Sequence, residues 1–196
     1  MAAGTRDRIV VAAATLFQQR GYTGSGLKQI SVESGAPFGS LYHFFPGGKE
    51  ELAAEALRWS GQGYQLLVEA VIDSSPDIVA GVGNAFAAAA ETLRQTDCAD
   101  ACPIATVALE VASTNDRLRR VTADIFEGWI DAATDRLVAA GVQAEGARPL
   151  AMLTIAALEG GFLLSRAAKT TEAMDAIGGL VTEVVRRAVE DGSAAR

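Results

Sequence analysis

A chain of 196 residues with 49% hydrophobic side chains can bury a proper core without staples, as one large domain or as a small one fused to a medium one. Two cysteines, Cys98 and Cys102, and one histidine, His43, give neither a disulfide framework nor a set of zinc ligands, so no metal, no cofactor and a reducing cytoplasm are expected. Charges and turn residues interrupt the apolar positions before any run approaches the roughly 20 residues of a membrane span, and the first residues lack a signal-peptide pattern, so neither a membrane partner nor export is expected.

The net charge of −7 is unevenly divided. Residues 1–49 hold Arg6, Arg8, Arg20, Lys28 and Lys49 against Asp7 and Glu33, a net +3 that leaves −10 for the remainder. A locally basic segment on an acidic body can still meet phosphate, because charges more than about 10 Å apart are largely screened at physiological salt. The acidic remainder suits a domain held away from nucleic acid.

Alternating apolar-polar runs are absent, and Ala, Leu, Glu, Arg and Gln fill the segments between glycine and proline punctuation, which predicts an all-α fold of about nine helices. The first helix, residues 6–20, sets Ile9, Ala13, Leu16 and Phe17 on one face and stops at Gly21. Ser25 is a suitable N-cap for a short second helix that carries Leu27 and Ile30 inward to Glu33, and Ser34-Gly35 ends it. A third helix covers about 37–44, and Pro46-Gly47-Gly48 breaks it before a longer fourth opens at Lys49. The fourth continues through Leu57, Trp59 and Tyr64, with Gly61 and Gly63 able to soften it. Ser75-Pro76 opens a fifth helix to about Thr96, and Pro103 starts a sixth after a loop over 98–102. Asn115 caps a seventh over 116–140, ended by Gly141, and two last helices cover about 147–169 and 172–190. The expected division is a three-helix domain over 1–48 and a larger helical domain over 49–196.

Two short helices joined by a tight glycine turn are the outline of a helix-turn-helix, whose second helix enters the major groove. Greater specificity comes from Gly35-Ala36-Pro37-Phe38-Gly39-Ser40-Leu41-Tyr42-His43-Phe44-Phe45-Pro46-Gly47-Gly48-Lys49-Glu50-Glu51-Leu52, together with Ala13, Leu16, Phe17 and Arg20-Gly21-Tyr22. Over residues 5 to about 58 the chain strongly resembles the TetR family of bacterial regulators. Gly39 and Ser40 are small enough to let the recognition helix lie close to the duplex, where a helix N-terminus favours phosphate. Tyr42 can donate its hydroxyl to a phosphate oxygen, and Lys49 can supply a point charge to the backbone. The resemblance implies that Ser25, Lys28, Tyr42, His43 and Lys49 sit on the DNA side while Leu41, Phe45 and Leu52 hold the small domain together. Phe38 stands where many relatives have a lysine or arginine, so the bidentate contact to guanine is lost; it either touches a thymine methyl or packs on the turn.

The stretch Ala101-Cys102-Pro103-Ile104-Ala105-Thr106-Val107-Ala108-Leu109-Glu110 and the Pro46-Gly47-Gly48-Lys49 turn resemble the LmrA/YxaF-type branch of the family. That branch implies a repressor that binds a palindromic operator as a homodimer and is released by a small apolar or aromatic effector, in some members flavonoid-like. Phe86, Ile104, Val107, Phe126, Trp129, Ile130 and Phe162 are the expected apolar lining, with Glu110, Thr106 or Glu159 as a polar handle or as structural groups. The last two helices are expected to pair with their symmetry mates through Leu153, Ala157, Gly160, Gly161 and Leu164 on one, and Ile177, Leu180, Val184 and Val185 on the other. An activator, or a regulator without effector, is the alternative. No nucleophile motif, metal spacing or phosphate loop argues for an enzyme. Cys98 and Cys102 are either ordinary buried thiols or a redox pair.

Overall fold

Helix formers dominate between the glycine and proline stops, and the chain folds accordingly. The structure, a computed structural model, describes residues 4–194. Among these are nine helices and no strands: α1 (Thr5–Arg20), α2 (Leu27–Ser34), α3 (Phe38–Phe44), α4 (Gly48–Asp73), α5 (Ile78–Gln95), α6 (Pro103–Val111), α7 (Asp116–Ala139), α8 (Ala144–Ala168) and α9 (Glu172–Ala194). The all-α expectation holds.

Several ends differ from the sequence reading for identifiable reasons. Asp77, rather than Ser75, caps α5, its Oδ1 accepting the Ala80 N–H at 2.8 Å. Helix α8 starts three residues before the expected position, and Pro149 lies within it, near enough to the N-terminus that the missing N–H removes only one early bond. Ser25 is not the N-cap of α2; that position belongs to Gly26, which has no side chain to contribute.

The chain divides into two compact units, one made of residues up to Tyr64 with Cys102–Ile125, the other of Gln65–Ala101 with the residues from Phe126 onward. Helices α4 and α7 each begin in the first unit and end in the second. In the first unit α1 packs on α2, α3 and α6. Its core holds Phe17, Ile30, Leu41, Phe45, Leu52 and Leu57 together with Ile104, Val107 and Leu118, all essentially inaccessible to solvent. A Cβ on Gly61 would come within 2.6 Å of Ile125 Cγ2, so this glycine lets α4 and α7 approach closely.

The second unit is built around α5, α8 and α9. Phe86, Leu93, Leu137, Leu150, Met174, Val181 and Val185 share one apolar cluster. Glycines permit the close crossings: a Cβ on Gly178 would lie 2.7 Å from Phe86 Cβ, and one on Gly161 would lie 2.9 Å from Met174 Sδ. Arg136 ties α7 to α4 through Glu69 and Asp73, and Arg148 of α8 pairs with Asp131 and Glu127 of α7.

One helix departs from the expectation about apolar runs. α8 is long and apolar enough, by length and mean hydropathy alone, to cross a membrane. Counting uninterrupted runs misses it because Arg148, Glu159 and Arg166 divide the stretch. In the fold it buries Leu150, Ala151, Gly161 and Phe162 against its own unit and leaves Met152, Leu153, Leu163 and Leu164 exposed.

Candidate nucleic-acid interface

The interface is built from the bottom of the first unit's core. Ile30 anchors α2, and Leu41 with Phe45 anchors α3; all three are buried. Gly35 ends α2 in the left-handed region, φ 61°, where its N–H bonds back to α2 carbonyls. The Arg8 guanidinium donates to the Ser34 carbonyl at 3.1 Å, and the Ser31 hydroxyl donates to the Ala36 carbonyl at 2.7 Å, so α1 and α2 both fix the turn. Pro37 then occupies the N-cap of α3 with φ −55°, the value its ring imposes.

With its inner face fixed, α3 presents Phe38, Gly39, Tyr42 and His43 outward. Phe38 is 41% exposed and Tyr42 51%, and their rings meet edge to face at 5.7 Å, as the i, i+4 spacing allows. Phe38 is therefore not part of the core. Gly39 has open space where a Cβ would stand, and Ser40 is half-buried. The His43 and Phe44 rings meet edge to face at 4.9 Å, and Lys28 of α2 is exposed.

Ser25 requires correction. It is fully buried, with its hydroxyl donating to the Gly21 carbonyl at 2.8 Å, so it braces the α1–α2 turn and does not reach DNA. Sequence spacing alone could not separate a hydroxyl that faces outward from one turned back on its own turn.

Lys49 lies at the start of α4. Gly48 precedes it with φ 69°, and the Gly47 N–H donates to Glu51 Oε2 at 2.7 Å, which closes the turn. The Lys49 ammonium sits over the Tyr22 ring, 4.3 Å from its centre. Burial lowers its pKa, and the charge of Glu110 opposes that shift. Burial also raises the Tyr22 hydroxyl, with the Glu50 charge adding to it.

Glu110 was a candidate handle for an effector, but its oxygens are already used. Oε1 accepts the Tyr22 N–H at 3.0 Å and Oε2 accepts the Thr23 N–H at 2.7 Å. Ile104 and Val107, also candidates for the effector lining, are wholly buried in the first unit. Thr106 also lies in the first unit, its hydroxyl donating to the Cys102 carbonyl at 2.9 Å. The remaining candidates lie in the second unit: Phe86 and Phe162 are buried in its apolar cluster, with Ile130 packed against it. Phe126 and Trp129 form an edge-to-face pair at 5.5 Å, both half-buried, as is Glu159. Cys98 and Cys102 are buried thiols with no disulfide between them, and the Cys102 sulfur accepts the Ala105 N–H at 3.5 Å. Sequence reasoning missed Arg8, Glu50 and the clamp by Glu110, because each acts on a partner far along the chain.

Charge follows the same partition: nine Lys/Arg and eight Asp/Glu fall in the first unit, eight and sixteen in the second. The acidic load is thereby kept off the unit that carries the recognition helix.

Residues 9–56 match the family described as bacterial regulatory proteins, tetR family, and residues 79–179 match the C-terminal domain of LmrA/YxaF-like transcriptional regulators. An uncharacterized HTH-type transcriptional regulator of Bacillus subtilis, YxaF, is 36% identical over 93% of this chain and 96% of its own. A TetR transcriptional regulator from Legionella pneumophila superposes with a TM-score of 0.83 at 21% identity, over 93% of this chain and 98% of that one. The regulator CifR, solved with 26 bp operator DNA as a cysteine mutant, superposes with a TM-score of 0.78 at 20% identity, over 93% and 97%. With its helix-turn-helix at α2–α3 and an LmrA/YxaF-like C-terminal domain, the chain belongs to the TetR family of transcriptional regulators and is a DNA-binding protein rather than an enzyme.

Proposed function

We propose that this regulator is a cytoplasmic repressor: a homodimer binds a palindromic operator, and a small apolar or aromatic molecule releases it. Recognition is assigned to residues 1–48 with Lys49 at the boundary, effector binding and dimerisation to 49–196. The observation that carries the DNA-binding surface is the outward row of α3, where Phe38, Gly39, Tyr42 and His43 are exposed on a helix whose other face is anchored by Leu41. In the proposed complex Tyr42, Lys49 and Lys28 meet phosphates, Gly39 and Ser40 allow close approach, His43 lies at the groove, and Phe38 touches a thymine methyl.

Selecting duplexes from a random pool tests the reading directly. A palindrome with half-sites about one helical turn apart, lying across a promoter, fits a repressing dimer. A single half-site, or a site upstream of the promoter that raises transcription, counts against it. Phe38→Ala is expected to relax preference at one base pair in each half-site, by about 1 kcal/mol or somewhat more, the low end of discrimination by a good base contact. A selection profile identical to the parent's would remove Phe38 from the readout.

The effector site is proposed in the second unit, at Phe86, Phe126, Trp129, Ile130 and Phe162 with Glu159 as the polar group. Support comes from the half-buried aromatic pair on α7 and from Ile130 of the same helix, which packs against the apolar cluster that contains Phe86 and Phe162. The chain has two tryptophans, so the test uses Trp59→Phe to leave Trp129 as the sole reporter. Flavonoid-like compounds that release the operator are expected to quench or shift Trp129 emission in the same concentration range. Release without any change at Trp129, or release by polar metabolites alone, would move the site.

A further inference from the structure

Glu110 lies on α6, far along the chain from the helix-turn-helix, yet its carboxylate takes two consecutive N–H groups of the α1–α2 turn, from Tyr22 at 3.0 Å and Thr23 at 2.7 Å. The turn is shaped for this. Gly21 has φ 71°, which side-chain-bearing residues rarely adopt, and a Cβ there would fall on Glu110 Oε1. Successive N–H groups presented in this way form a small concavity suited to an anion, and a charged acceptor makes the stronger bonds. Ser25, donating to the Gly21 carbonyl, holds the turn from the opposite end.

The same turn supplies the platform for Lys49. The backbone held by Glu110 is that of Tyr22, whose ring carries the Lys49 ammonium at 4.3 Å. A second carboxylate joins the α6–α7 connection to the start of α4: Glu50 accepts from Asn115 at 2.7 Å and from Arg117 at 3.3 Å. Residues 110–117 thus grip the DNA-binding helices on both sides of Lys49.

We infer that Glu110 is a positioning residue for operator binding, which fixes the α1–α2 turn and, through the Tyr22 ring, places Lys49 for its phosphate contact. The inference rests on the proposed role of Lys49 at DNA. Any event that withdraws α6, an effector included, has Glu110 as its point of attack on the DNA-binding helices. Glu110→Gln keeps the size of the side chain, but its amide nitrogen, itself a donor, can accept neither N–H.

The test is a double-mutant cycle of Glu110→Gln and Lys49→Ala on the full-length protein, read as affinity for its selected operator, together with amide exchange at Tyr22 and Thr23. Glu110→Gln is expected to weaken operator binding about tenfold, as loss of a bond to a charged acceptor does, with helix content unchanged. Lys49→Ala is then expected to cost clearly less in the Glu110→Gln background than alone, a coupling that a purely stabilising residue does not produce. Losses that add, or an affinity equal to the parent's, would overturn the inference. Should Glu110→Gln fail to fold, exchange in the unmodified protein decides: slow exchange at both amides supports the clamp, and rapid exchange refutes it. Failure of the parent protein to bind any duplex would instead count against the DNA-binding reading itself.

Discussion

Charging Leu180 and Val184 together, as Leu180→Glu with Val184→Glu, is expected to yield a folded monomer whose operator affinity falls by about 100-fold or more, the avidity lost when two half-sites are no longer met by one linked particle. The reason lies in two apolar rows. On α9, Ala176, Leu180 and Val184 are exposed at four-residue spacing, Leu180 to 70%; on α8, Met152, Leu153, Ala156, Leu163 and Leu164 are exposed at helical spacing around Gly160, which has open space beside it. Side chains this large on two neighbouring helices suit an isologous interface, where each change is introduced twice. Gly161 and Val185, which sequence spacing placed in the same seam, face inward instead: Gly161 abuts Met174 and Val185 is fully buried. Because Leu180 and Val184 are exposed, the substitutions remove no core, so far-ultraviolet circular dichroism should be unchanged while sedimentation reports the monomer. A dimer persisting at micromolar concentration would place the interface elsewhere. A monomer with full affinity would remove the need for a dimer.

The all-α class and the helix-turn-helix were legible because their signals are local. Gly21, Gly35 and Gly48 take positive φ at the junctions of the first four helices, and the 3.6-residue spacing of Ile9, Ala13, Leu16 and Phe17 marks a buried face without reference to anything distant. What sequence could not supply is the destination of a polar side chain. Ser25 has the composition of an N-cap and turns back on Gly21; Glu110 has the composition of a ligand-binding acid and binds a turn 87 to 88 residues away. Both outcomes follow from backbone N–H and carbonyl groups that had to be satisfied by whichever side chain folding brought near. Helix α8 was predicted over about 147–169, but its apolar character was obscured for the opposite reason: a few charges break its run and leave its mean hydropathy high. Phe38 was ambiguous in the sequence because an aromatic ring suits a core and a groove equally; its 41% exposure takes it out of the core, and the Tyr42 ring is its neighbour there.

Phosphate contacts should behave differently from Phe38, and that contrast is the sharpest check on how this surface reads DNA. Replacing Tyr42 and Lys49 together by alanine is expected to weaken binding to the operator and to unrelated duplexes alike, by about 30-fold at low salt, because contacts to the backbone carry no sequence information. Lys49 adds one positive charge per protomer, so its loss from a dimer should lower the slope of log affinity against log salt by about two, close to 0.9 for each phosphate neutralised. Tyr42 contributes a neutral hydroxyl and should change affinity without changing that slope. The side chains tolerate the change unequally. Tyr42 is half-exposed and touches Phe38 at its edge, so its removal frees one ring of a surface pair, whereas Lys49 lies over Tyr22 and its removal uncovers that ring. A modest loss of thermal stability from Lys49→Ala alone is therefore expected, of about 0.5–1 kcal/mol for an exposed cation–π contact. A loss confined to the operator, with the salt slope intact, would mean that these two residues read bases.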